Sequence, residues 1–281
     1  MGKTEMRIGF FGLCGLCFAM MVQASDLAVV MDNGQVLLPE FSGQGTATWE
    51  NGDKYEGEFA NGKRHGKGTY TTSAGDVYEG EYQNSMRHGH GVYSWKSGNQ
   101  YDGNWEKNQR HGKGTHVLAN GNKYEGDFVH NQKSGTGKLT WANGDVYEGG
   151  FKDDKRTGKG IYRYKNGDVY EGDYLNDSRE GSGTYTWKNG NKYEGSWANN
   201  KRNGQGTFSW ITGERYVGHF KDDKRNGQGE IYSAYGDVFK GNFKEDKRHG
   251  KGSMLTADGQ TIEMCFNEGH RVSPTEDCPA N

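Results

Sequence analysis

The sequence predicts an all-β protein: an elongated single-layer antiparallel sheet, a β-meander or solenoid-like ribbon of 23-residue hairpin repeats. Three observations carry that prediction. Tyr55, Tyr78, Tyr101, Tyr124, Tyr147, Tyr170, Tyr193 and Tyr216 recur every 23 residues without an insertion or deletion, and Phe239 continues the row. Each unit holds two stretches of period-two alternation separated by turn-forming residues, the pattern of a hairpin. Hydrophobic residues are only 31% of the chain, while aromatics reach 13% and glycine accounts for 47 of 281 residues. The packing units of such a thin fold must be rings, not an aliphatic interior. Low hydrophobicity often marks disorder, but disordered chains are poor in aromatics.

The elements follow in order along one unit. Tyr55-Glu56-Gly57-Glu58-Phe59 alternates ring, acid, glycine, acid, ring, which gives a strand one aromatic and one charged face. The same glycine and second ring return in every unit, as Gly80 with Tyr82, Gly103 with Trp105, and onward to Gly241 with Phe243. Asn61-Gly62-Lys63-Arg64-His65-Gly66 is rich in turn formers. Gly68-Thr69-Tyr70-Thr71 then alternates again, with Tyr70 on the ring side, and a Gly-Asp or Gly-Asn corner begins the next unit. A helix is excluded, because each glycine would cost it roughly 1 kcal/mol. Glycine also weakens a strand, so one set between two rings needs a reason. Omitting that side chain lets neighbouring rings lie flat across the sheet, and ladders of cross-strand ring pairs contribute roughly 0.2–1 kcal/mol each.

Four segments follow. Residues 1–24 read as an export leader: Lys3 and Arg7 are the basic start, Ile8 to Val22 is an apolar run, and Val22-Gln23-Ala24 is a small-x-small site. The run is short for a membrane span. This predicts cleavage after Ala24 and a periplasmic or secreted protein, with an uncleaved anchor as the alternative. Residues 25–54, with Gly34, Gly43, Gly45 and Gly52 on the grid, read as an atypical capping hairpin. Residues 55–261 hold nine repeats, and 262–281 form a capping strand and tail. Solenoid ends need atypical units and sheet edges need blocking, for which Pro274 and Pro279 are suited. Cys14 and Cys17 leave with the leader. Cys265 and Cys278 are then expected to pair in an oxidising compartment, a closure worth roughly 3 kcal/mol in the chain-entropy model. Two free thiols would instead suit a cytosolic protein.

Tyr-Glu-Gly-Glu-Phe-x-Asn-Gly-Lys-Arg-His-Gly-Lys-Gly, at Tyr55 to Gly68, resembles the MORN (membrane occupation and recognition nexus) motif, and the likeness extends over roughly residues 32 to 270. The resemblance implies an elongated antiparallel sheet with roles in scaffolding, dimerisation or membrane association. Some relatives fuse the array to a lipid kinase or another catalytic domain. Here the repeats take up nearly all the chain after the leader. The turn glycine at Gly62 is replaced by Ser85, Asn108, Asn131, Asp154, Asp177, Asn200, Asp223 and Asp246, most of them residues that tolerate turn geometry.

No catalytic constellation emerges, and no enzyme, cofactor or metal is expected. The Gly62 to Thr69 segment lacks the Gly-Lys-Thr/Ser ending and following helix of a phosphate loop. His65, His88 and His111 sit on successive hairpins about 9–10 Å apart, too far for one metal at ~2 Å per bond. Glu56, Glu79, Glu125, Glu148, Glu171 and Glu194 follow the repeat and read as a solvated face. With a formal charge of -2, nothing draws the chain globally toward nucleic acid.

Two extended surfaces remain. Arg64, Arg87, Arg110, Arg156, Arg179 and Arg202 recur at the hairpin tips and are expected to project as a basic rim able to grip phosphates or carboxylates. Tyr78, Trp95, Tyr101, Trp105, Trp141, Trp187, Trp197 and Trp210 make an aromatic face, and exposed apolar surface usually marks an interaction site. The leading expectation is a non-catalytic scaffold or adaptor at the cell envelope that binds a protein partner or a second copy. The alternative is a module that meets anionic lipid or envelope glycan through the rim and the rings.

Overall fold

The computed structural model describes residues 28–32, 35–36, 41–273 and 278–279. The expected leader lies outside the described residues. Those residues form one sheet of 23 strands. β1 (Ala28–Asp32) pairs antiparallel with β2 (Gln35–Val36) and parallel with β3 (Gly43–Trp49). That parallel pair departs from the expected all-antiparallel sheet. Two reversals of direction leave β3 running the same way as β1, and it pairs on the free side of β1. From β3 onward each strand pairs antiparallel with its successor, as β3 does with β4 (Lys54–Ala60) and β4 with β5 (Lys63–Thr71). The meander continues to the short last strand, His270–Val272. The run of twenty strands from β3 to Thr261–Asn267 would extend on the order of 90 Å before twist.

The two strands of a unit differ in length. β4 has 7 residues and β5 has 9, and the excess is taken up in a bulge. Gly57 faces Gly68, but Phe59 already faces Arg64, so Glu58 stands opposite His65 to Lys67. A bulge leaves backbone groups without ladder partners, and here a carboxylate serves one of them: Glu58 Oε1 accepts from the Lys67 amide at 3.0 Å. Asp127 with Thr136 (3.1 Å) and Asp173 with Ser182 (3.0 Å) repeat the device. At the hairpin tip both turn residues have positive φ, 47° at Asn61 and 70° at Gly62. This is the two-residue turn whose twist matches the flanking strands. Ser85, Asn108 and Asp154 hold the second position at 66°, 69° and 67°.

The core lies on one face and consists of rings. Tyr55, Tyr101, Tyr147, Tyr170, Tyr193 and Tyr216 are completely buried. Each tyrosine lies over a glycine pair: a Cβ added at Gly68 would stand 2.3 Å from Tyr55 Oη. The hydroxyl then donates to the Glu58 carbonyl at 2.9 Å. Ring packing differs from the expected ladder between facing strands. Tyr55 meets Phe59 of its own strand edge-on at 5.1 Å and Tyr82, two strands away, at 5.2 Å. Such T-shaped contacts suit ring quadrupoles. They alternate in a zigzag that starts at Phe41–Phe59 and ends at Phe239–Phe266. Glycine frees the space, and edge-on rings fill it better than parallel ones.

Candidate binding face

The arginines lie on the ring face, and there the structure corrects the expected rim. Arg64, Arg87, Arg110, Arg156, Arg179 and Arg202 do not project; their guanidinium groups fold back over the rings. Arg64 Cζ lies 4.9 Å from the Tyr70 ring centre and 5.2 Å from that of Tyr82. Arg87 lies 4.3 Å from Trp105, and Arg179 4.4 Å from Trp197. Arg110 covers Phe128, Arg156 Tyr174 and Arg202 Phe220, each at 5.2 Å. Every one of these guanidinium groups also donates through Nη2 to a carbonyl of the next hairpin turn, as Arg156 does to Asp177 O at 2.9 Å. Arg156 and Arg202 are left only 20% and 21% exposed. Cation–π contact and a fixed fork of donors favour this packing. The charge row therefore joins repeat to repeat. Burial pushes the Tyr147 hydroxyl up to about 12 against the opposing pull of Arg156.

The opposite edge carries a second relay. The corner residue of each unit accepts from a backbone amide 20 residues on: Asp53 from Ser73 (2.8 Å), Asn99 from Ala119 (2.9 Å), Asp145 from Lys165 (2.8 Å), Asn191 from Ile211 (3.0 Å). Asp145 also accepts from Tyr162 Oη at 2.8 Å. The Lys165 amide and that hydroxyl hold its carboxyl below the usual range. Glu214, one methylene longer, breaks the pattern and instead accepts from Thr212 Oγ1 at 3.3 Å. Sequence reasoning missed this relay, although its signal, Asp or Asn directly after the corner glycine, is visible at 53, 76, 99, 122, 145, 168 and 191.

The eight aromatic candidates divide into two groups. Tyr78, Tyr101, Trp105 and Trp197 are interior, at 0–4% exposure. Trp105 and Trp197 also donate to the Gly91 and Gly183 carbonyls, both at 3.0 Å. Trp95, Trp141, Trp187 and Trp210 are half-buried at the corner edge of the ring face. From Trp141 the half-buried rings run without a break. Trp141–Tyr162 (5.2 Å) leads through Tyr164, Tyr185, Trp187 and Phe208 to Trp210, whose ring centre is 4.6 Å from that of Phe208. Beside its end, Ile211 is 71% exposed and Tyr235 90% exposed.

The other face is open and polar. Two shallow grooves of about 770 and 740 Å³ run over glycine floors such as Gly57, Gly68, Gly172 and Gly183, flanked by Glu56, Glu79, Glu171 and Glu194. Ion pairs such as Lys54–Glu56 (2.7 Å) and Lys138–Glu148 (3.0 Å) are solvent-exposed there. Among the described residues no three His, Cys, Asp or Glu side chains converge to hold a metal. At the C-terminal edge a disulfide joins Cys265 to Cys278, Cα atoms 5.7 Å apart, with Cys265 fully buried.

Solved structures match the chain only at low similarity. The TCP domain of Drosophila melanogaster SAS-4 (dCPAP), in complex with a proline-rich motif of Ana2 (dSTIL), is 16% identical. The match covers 54% of this chain and 83% of that one, with a TM-score of 0.37. The wild-type TCP10 domain of Danio rerio CPAP, in complex with a peptide of Danio rerio STIL, is 11% identical over 76% of this chain and 90% of that one, with a TM-score of 0.40. No curated protein matches the chain. The MORN repeat profile matches residues 40–54 and then nine consecutive 23-residue segments from 55–77 to 239–261. The chain belongs to the MORN repeat family.

Proposed function

We propose that this protein is a non-catalytic scaffold that binds a protein partner along the half-buried ring stripe from Trp141 to Trp210, and that it does so at the cell envelope after export. The stripe is the observation that carries the reading. Its rings are ordered by the zigzag beneath them, so binding would require little additional ordering, and large rings with a polar edge are common anchors of protein interfaces. The arginine row favours this reading over lipid or glycan binding through the rim, because its guanidinium groups already engage rings and turn carbonyls. Export rests on the leader-like residues 1–24 and on the disulfide, a bond typical of oxidising compartments.

The test is crosslinking in native extracts with the full chain and with a variant carrying Trp141→Ala, Trp187→Ala and Trp210→Ala. The reading expects one protein partner held by the full chain, lost by the variant, and little affected by salt. A partner retained by the variant would refute it, as would capture that collapses at high salt and fails for a variant with Arg64→Glu, Arg87→Glu and Arg110→Glu. N-terminal sequencing of the native protein should begin at Ser25.

A further inference from the structure

The ring layer thins toward its C-terminal end, at Ile231, Ser233, Met254 and Thr256, and it also has a gap in the middle of the array. Tyr70 and Tyr93 precede, and Tyr162, Tyr185 and Phe208 follow, at a position where two successive units carry His116 and Leu139. In the neighbouring row, Leu118 stands between Trp95 and Trp141. The half-buried rings accordingly run from Trp95 to His116 (5.7 Å) and resume only at Trp141–Tyr162. The tip row departs at the same place: Lys133 is its single lysine, between Arg110 and Arg156. These departures converge on one cavity of about 200 Å³, walled by Leu118 and Leu139, floored by Tyr124 and Phe128, and flanked by Arg110, Lys133 and His116. Decay of the repeat is expected at the ends of a solenoid. Here the zigzag beneath is unbroken, with Tyr124 meeting Phe128 and Phe151 at 5.1 Å each, so the gap is not a fault in the fold.

The chemistry of the cavity is asymmetric. Arg110 is committed, donating to Asn131 O at 2.7 Å and lying 3.3 Å from His116 Nδ1. Lys133 is not held in this way. Its Nζ lies 3.9 Å from Asp154 Oδ1 and 5.8 Å from the Tyr124 ring centre. Among the described residues no side-chain donor is seen on Asp154 O, whereas Arg156 occupies the equivalent carbonyl of Asp177. A ring-sized gap with apolar surfaces at Leu118, Leu139, Tyr124 and Phe128, and a polar rim that also includes Asn122, Lys123 and Asp154, therefore sits beside an ammonium whose Asp154 partner lies at the long distance of 3.9 Å. The volume is below the ~300–1,000 Å³ of pockets for drug-sized ligands and suits a single side chain.

Resting on the protein-partner reading above, we infer that this cavity receives one aromatic side chain of the partner, inserted into the break in the ring layer, with a neighbouring carboxylate of the partner on Lys133. The incoming ring supplies the missing edge-on and face contacts, and the carboxylate supplies a charge-assisted hydrogen bond.

The probe is N-acetyl-Asp-Phe-amide, titrated against the full chain while the methyl resonances of Leu118 and Leu139 are followed. Saturable shifts of both methyls are expected, at least fivefold weaker with the Asn-Phe peptide and absent with Asp-Ala. A filled variant with His116→Tyr, Leu139→Tyr and Lys133→Arg carries the residues found at Tyr93, Tyr162 and Arg156, so it should fold with an undiminished melting temperature and lose the peptide. No methyl shifts at 10 mM peptide (about the weakest binding worth detecting), or equal binding by the filled variant, would overturn the inference. The stripe variant with Trp141, Trp187 and Trp210 replaced by alanine reports on the scaffold reading separately, through capture of the partner.

Discussion

The two faces of this ribbon are built from adjacent residues and behave as opposites. Tyr147 is completely buried, edge-on to Phe151 and Tyr174, with its hydroxyl on the Gly150 carbonyl at 3.1 Å. Glu148, one residue on, points into water on the other face and forms an exposed ion pair with Lys138. Period-two alternation sends neighbours to opposite sides, but it does not say which side will hold the sheet together. The difference is that the ring face has no second layer and covers itself. Its tyrosines lie on glycines, and its arginines lie on the tyrosines. Surface left half-open on that face, at Trp141 to Trp210 and at the gap near Leu139, is then available beyond what the fold consumes. The polar face contributes bulge contacts at Glu58, Asp127 and Asp173 and otherwise solvation.

Two perturbations sharpen that contrast. The larger concerns His116, whose pKa is lowered to about 4 by burial and then by Arg110 and Lys133. As pH falls below the ordinary value near 6.5, the unfolded chain takes up a proton that the folded chain refuses until about pH 4. Stability is therefore lost between those limits and is flat below them, by about 2 kcal/mol after allowance for partial solvent contact. Urea titrations at pH 7, 5 and 4 should show the loss, and His116→Phe should remove that part of the pH dependence. The smaller concerns the tip row. Arg179→Lys gives up the donation to Asn200 O and the cover over Trp197, an expected loss of about 1 kcal/mol that salt should barely change. A loss that vanishes in 1 M salt would return the arginines to the role of a solvated charge row.

Much of this was legible in the residues themselves. The period, the ring face and the need for a glycine between two rings, as at Gly57, follow from alternation and from side-chain size, whereas the approach of Tyr55 to Gly68 on the neighbouring strand does not. The bulge opposite Glu58 was not legible, because alternation within a strand carries no information on register between strands. The arginines were misplaced because a charge at a turn was assumed to seek water. Arg64 sits directly across from Phe59 on the ring face, where a delocalised cation gains more from rings and carbonyls. The division of the tryptophans, Trp105 and Trp197 inside and Trp141 and Trp187 half-exposed, depends on their positions within the unit. The former follow the strand glycine, and the latter open the corner. The parallel entry of β1 had no periodic signal at all.

The most direct measurement is a pair of alanine substitutions at consecutive residues, Tyr147→Ala and Glu148→Ala, compared by chemical denaturation. Removal of a buried ring from the zigzag should cost about 3 kcal/mol or more, while removal of the exposed carboxylate should change stability by no more than about 0.5 kcal/mol. Equal losses, or a loss below about 1 kcal/mol at Tyr147, would contradict a sheet held together by rings laid over glycine.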